Sequence, residues 1–113
     1  MDSQSHTTWI DVADAAEIPD GCAKEVVVGQ WVIAVFCDGD DYYAIDGMCA
    51  HQGGPIAKGQ LSKTDRGLTC VTCPWHGWQY ELATGIQTVN HQPLQRVFPV
   101  RRSGDRIEIR VDE

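Results

Sequence analysis

Apolar residues fall in short runs separated by Gly, Asp and Pro, the spacing of strands and tight turns and not of long helices. Residues 25–28 and 31–37 are rich in β-branched and aromatic side chains, with Gly29 and Gln30 between them, and predict two hairpin-linked strands. Asp38-Gly39-Asp40 supplies the next turn, and residues 41–46 continue the meander. Further strands are expected at 67–71 and 78–82. Residues 97–101 and 107–111, joined through Ser103-Gly104-Asp105, predict a C-terminal hairpin, whose second strand alternates apolar and charged positions as a half-buried strand does. The only helix candidate, 14–18, is cut off by Pro19 and Gly21 and is too short to stand without packing. An all-β sandwich or small barrel follows. Residues 47–66 and 83–96, filled with Gly, Pro, His, Gln and Asn, read as two long loops, and long loops on a rigid β scaffold commonly carry function.

Composition supports a folded chain: 113 residues, 42% hydrophobic, 22% charged, with a mean hydropathy of -0.28. That length suits one domain over residues 1–113. No apolar run approaches the roughly 20 residues that span a bilayer, and the first residues lack a basic flank leading into an apolar stretch, so a cytoplasmic protein away from membranes is expected. The net charge of -7 is concentrated upstream, where residues 1–43 carry nine acids against the single Lys24. Such a surface repels nucleic acid and anionic lipid. It suits a basic protein partner, or simply keeps the chain in solution.

Chemistry enters with the cysteines, five of them at 22, 37, 49, 70 and 73. An odd number without a secretion signal disfavours a disulfide framework and favours a metal or redox site. Cys49-Ala50-His51 and Cys73-Pro74-Trp75-His76 each place one thiolate and one imidazole on a loop. Brought side by side, the loops offer two soft sulfur and two borderline nitrogen ligands, a set that calls for a metal. Cys49, His51, Cys73 and His76 could hold one zinc ion. Zinc motifs of that kind more often group Cys with Cys and His with His, whereas each loop here mixes the two. In a two-iron cluster with one iron on two Cys and the other on two His, both loops must reach both irons, and mixed loops supply that reach.

These loops resemble the Rieske 2Fe-2S proteins. The likeness runs through Cys49-Ala50-His51-Gln52-Gly53-Gly54-Pro55 and Cys73-Pro74-Trp75-His76-Gly77-Trp78-Gln79-Tyr80, then Ala83-Thr84-Gly85, the loop around Pro93, and Phe98-Pro99-Val100, so that roughly residues 8–111 are covered. The resemblance implies that Cys49 and Cys73 bind the iron that stays ferric, that His51 and His76 bind the redox-active iron, and that a cluster-binding subdomain of about residues 46–84 sits on a β base. Rieske proteins of quinol-oxidising complexes carry a disulfide between their cluster loops, but Gly54 and Trp75 occupy those positions here. That subgroup also has a Ser where this chain has Trp78, while its tyrosine is matched by Tyr80. The sum is similar to ferredoxins that serve ring-hydroxylating dioxygenases. It implies an electron carrier that binds no substrate, with a flavin-dependent or iron-sulfur reductase as donor and an oxygenase or similar acceptor. Without the Ser donor, a potential at the low end of the Rieske range, about -150 to +300 mV, is expected. A nitrite-reductase small subunit shares the fold and is the rival reading, although some of that group lack cluster ligands and this sequence has all four. A structural zinc module is the third.

Other residues have blander readings. Cys70 forms C-x-x-C with Cys73 but lies in an apolar strand, which fits a buried structural thiol; Cys22 and Cys37 read as packing or adventitious thiols. His6 and His91 lack ligand spacing and are expected in solvent, and Trp9 and Trp31 in the core. The ligand imidazoles should lie nearer solvent than the sulfurs. The loop tips at 50–55 and 74–77 contain no Lys, Arg, Asp or Glu, which suits a short-lived apolar contact.

Overall fold

The computed structural model describes residues 9–49, 53–64, 66–75 and 77–111. Strands are β1 (Trp9–Asp14), β2 (Ala23–Val28), β3 (Trp31–Asp38), β4 (Asp41–Asp46), β5 (Gln60–Lys63), β6 (Thr69–Thr72), β7 (Gln79–Glu81), β8 (Val97–Phe98), β9 (Val100–Ser103) and β10 (Arg106–Arg110). They form three antiparallel sheets ordered β1-β10-β9, β2-β3-β4-β8 and β5-β6-β7. The expected all-β architecture is what the chain adopts.

The four-stranded sheet is sandwiched between the other two, and the sequence of β3 shows why. Ile33, Val35 and Cys37 point into one core with Val26, Ala44, Phe98, Ile107 and Ile109. Ala34 and Phe36, on the alternate positions, point into a second core with Ile45, Ile56, Val71, Tyr80 and Leu82. A strand covered on both faces cannot alternate apolar with polar, so it reads as a continuous apolar run. Each fully buried Ile, Val or Phe contributes about 1.5–3 kcal/mol. Cys49 and Cys73 belong to the second core, so the packing that orders β5-β6-β7 on the base also places the sulfurs.

Several expectations need correction. The candidate helix is a single 3-10 turn, Ala15–Glu17, capped when the Asp14 carboxylate accepts the Ala16 N–H at 2.8 Å and the Glu17 carboxylate accepts the Asp14 N–H at 3.0 Å. Residues 97–101 are not one arm of a hairpin: Pro99 divides them, leaving β8 on β4 and β9 on β10. The loop expected at 47–66 holds a second 3-10 turn, Ile56–Lys58, and β5. Trp9 is half-buried beneath the guanidinium groups of Arg101 and Arg110, 4.3 and 5.3 Å from its ring centre, and is not core. Trp31 is partly buried and meets Phe98 edge-on at 5.6 Å.

At the β3–β4 turn, Lys63 Nζ donates to Asp38 Oδ2 at 2.8 Å and Thr69 Oγ1 donates to the same oxygen at 2.5 Å, tying the small sheet to the base. These bonds from Lys63 and Thr69 hold the Asp38 carboxyl below its ordinary range.

Candidate metal centre

Two loops, and a third that leans on them between β7 and β8 (residues 82–96), build the site. The first leaves β4 at Asp46. Its turn around Cys49 is closed by the Cys49 N–H donating to Gly54 O at 2.8 Å and the Gly53 N–H donating to Cys49 O at 2.7 Å. The second joins β6 to β7 and is closed by the Cys73 N–H donating to Trp78 O at 2.7 Å. Both sulfurs are buried, and the two side chains interact directly. Burial pushes the Cys73 thiol up, an effect that the Trp75 N–H, 3.4 Å from Cys73 Sγ, partly offsets. His51 and His76 lie outside the described residues.

Two further neighbours among the described residues lie at the sulfurs. Tyr80 is fully buried on β7 with its hydroxyl 3.2 Å from Cys49 Sγ. Gly54 is packed so closely that a Cβ there would stand 2.8 Å from Cys73 Sγ and 3.1 Å from Trp75 Cβ. Positions 54 and 75, which carry a disulfide in part of the Rieske family, are therefore side by side, and the indole of Trp75 covers the glycine instead.

The donor chemistry fits an iron-sulfur group. Two adjacent thiolates buried without a cation repel each other and lose their hydration, so the sulfurs require a metal to remain ionised. With a metal bound, the Tyr80 hydroxyl and the Trp75 N–H would serve as donors to the thiolates.

Among the described residues of these loops, several large exposed side chains are apolar. Met48 is 52% exposed, Trp75 49%, and Val89 on the third loop 80%. Val89 shares a shallow groove with Gly77 and Trp78 of the second loop. Cys22 is exposed and Cys37 buried. Cys70 is buried on the face of β6 opposite Val71, turned away from the sulfur pair. His91 is exposed, with φ 61, in a tight turn where its N–H donates to Gln87 O at 2.8 Å. Motif reasoning missed Gln95, which reaches the first loop from the third. No spacing rule exposes such a contact.

Comparison with known proteins identifies the architecture. The Rieske [2Fe-2S] domain family matches residues 8–99. A human "Rieske domain-containing protein" is 39% identical over 67 residues, which are 57% of this chain and 42% of that protein, so the chain spans about two-fifths of that relative. Among solved structures, the ferredoxin of carbazole 1,9a-dioxygenase from Nocardioides aromaticivorans IC177 superposes with a TM-score of 0.79 at 25% identity, covering 92% of this chain and 98% of the other. A putative NADH-dependent nitrite reductase small subunit from Mycobacterium tuberculosis shares the fold, with a TM-score of 0.86 at 19% identity over 95% of this chain and 98% of the other. With two buried, interacting cysteines on loops that also expose Met48 and Trp75, and a family match over most of its length, the chain belongs to the Rieske [2Fe-2S] domain family, and the cofactor it is built to hold is a 2Fe-2S cluster.

Proposed function

We propose that this protein is an electron carrier of the ferredoxin type, in which Cys49 and Cys73 hold one iron and His51 and His76 the other, within a cluster-binding subdomain of about residues 46–84 of a single domain. The donor is a flavin-dependent or iron-sulfur reductase, and the acceptor an oxygenase or similar oxidoreductase. The observation that carries this reading is the buried Cys49–Cys73 pair, with Tyr80 on one sulfur, on the same loops as exposed Met48 and Trp75. A cytoplasmic setting suits a chain whose five cysteines form no disulfide with one another.

When bound, the cluster takes up and gives back one electron. The protein's part is to keep water from the sulfurs, to offer hydrogen bonds to them, and to expose an uncharged rim through which a partner can approach closely and leave quickly. The test is iron and sulfide analysis with an anaerobic redox titration, followed by mixing the reduced protein with a Rieske oxygenase. Two irons, two sulfides, one electron per chain and reoxidation by the oxygenase are expected. A colourless zinc protein, or a chain without reversible one-electron uptake, refutes the reading.

The Tyr80 hydroxyl favours the electron-rich sulfur of the reduced state, so Tyr80→Phe is expected to lower the midpoint potential while leaving iron content unchanged. A potential equal to or above that of the wild type would contradict this role.

Salt dependence is expected to be weak. Of the upstream acids, Asp11 and Asp14 pair with Arg106, Glu17 with Lys24 and Asp38 with Lys63, while Asp20 accepts the Gly39 N–H and Glu25 is exposed on β2. Asp40 and Asp41 sit at the end of β4 away from the Cys49 loop, beyond the Debye length of about 8–10 Å from the rim. This reading leaves the acidic segment to keep the chain in solution, whereas steering of a basic partner by that segment predicts the opposite salt dependence. Stopped-flow reduction at two ionic strengths checks it, and a rate falling tenfold as salt rises would restore steering.

A further inference from the structure

Gln95 follows Pro93 on the third loop and is only 3% exposed. Its Nε2 donates to Asp46 O at 3.1 Å and to Met48 O at 2.9 Å, both donors of one amide serving two carbonyls that precede Cys49. The strap between those carbonyls is shaped by the Met48 N–H, which donates to Asp46 Oδ1 at 3.0 Å. Beyond it, Cys49 is fixed by its own bond to Gly54.

Gln95 is itself tightly held. Its N–H donates to Gly85 O at 3.2 Å, and the carbonyl of Arg96 accepts the Asp46 N–H at 2.8 Å. Its own carbonyl lies so near Gly85 that a Cβ there would overlap it. A fixed amide on a fixed loop therefore determines where the strap runs. The strap in turn determines where Cys49 Sγ stands relative to the Tyr80 hydroxyl, 3.2 Å away.

We propose that Gln95 is a positioning residue for electron transfer: by holding the carbonyls of Asp46 and Met48 it keeps Cys49 Sγ within reach of the Tyr80 hydroxyl, and so sets the reduction potential from a loop that supplies no ligand. The inference rests on Cys49 being a cluster ligand. Buried amides of this kind leave two carbonyls unsatisfied when removed, and the backbone then shifts to recover them.

Gln95→Met removes both donors at nearly constant length and volume. Midpoint potentials at fixed pH, with iron and sulfide content, are measured for the wild type, Gln95→Met, Tyr80→Phe and the double variant. Gln95→Met is expected to keep the cluster and lower the potential, and the shift should largely vanish once Tyr80 is Phe, because both changes act on one hydrogen bond. An unchanged potential, or an equal shift in both backgrounds, overturns the proposal. Should Gln95→Met fail to assemble, Gln95→Asn keeps an amide one methylene short and is read by the same comparison. Cys49→Ala separates the two claims. A cluster that survives it refutes the ligand assignment, whereas a cluster lost there with potential unmoved in the Gln95 variants refutes only the positioning role.

Discussion

Cys73→Ala is expected to give a colourless chain with no iron or sulfide above background, while Cys70→Ser keeps the full complement of both. The two cysteines stand three residues apart and both are buried, yet their surroundings differ. Cys73 interacts with Cys49, accepts the Trp75 N–H, and lies against Gly54, whose missing Cβ makes room for the sulfur. On the proposed assignment, loss of this sulfur removes one of the two thiolates that would hold one iron, and it leaves Cys49 without its partner. Metal binding and folding are coupled in such sites, at about 10–16 kcal/mol for structural zinc, so an incomplete ligand set is not rescued by the remainder of the fold. Cys70 is different. Its pair partners across β6 are Ser62 and Glu81, its Sγ is 3.8 Å from Leu68 O, and burial pushes its thiol up, as for a thiol held neutral in the protein. A serine hydroxyl there costs about 1–3 kcal/mol if it finds no partner, which lowers stability without touching the cluster. Absorption spectra and iron analysis of the two variants check both halves. Loss of the cluster in a folded Cys70→Ser protein, or its retention in Cys73→Ala, would refute the ligand assignment.

What the sequence revealed and what it hid divide along physical lines. Strands β2, β3 and β4 were legible because dense β-branched runs are bounded by Gly and Asp turns. Strand β1 was not. Its pairing shifts between Asp11 and Ala13, so the apolar alternation changes phase within six residues. Strand β5 has a single partly buried apolar side chain, Leu61, and takes its structure from pairing with β6. At Pro99 the chain leaves one sheet for another, whereas uniform patterning there suggested a single strand. That Cys49 and Cys73 meet was legible because residues with ligand chemistry recur at a spacing that brings two loops side by side. The support behind it was not. Gln95 and Gly85 act through an amide and an absent side chain, and neither leaves a motif.

Gly85 gives the largest expected effect on stability. It sits at φ +76, a region that costs a side-chain-bearing residue roughly 1–2 kcal/mol. A Cβ at this position would also overlap Gln95 O and stand 2.9 Å from Gln95 C, both main-chain atoms that cannot swing aside. Relief requires the third loop to move, and the N–H of Gly85, which donates to Glu81 O at 2.8 Å, ties the opposite side of that junction to β7. Gly104 provides the control: it too has a left-handed backbone, φ +60, but a methyl placed there would meet nothing within 4 Å. Gly104→Ala should therefore cost only about 1 kcal/mol. Gly85→Ala should cost at least about 3 kcal/mol, which for a chain of this size corresponds to a fall in melting temperature of roughly 12 °C or more. Because the displaced atoms belong to Gln95, part of the damage should reach the Cys49 strap and appear as incomplete iron content even below the melting transition. Thermal unfolding of the two variants, with iron measured at room temperature, decides it: a Gly85→Ala protein that melts no lower than Gly104→Ala would show that the third loop yields freely and does not brace the cluster loops.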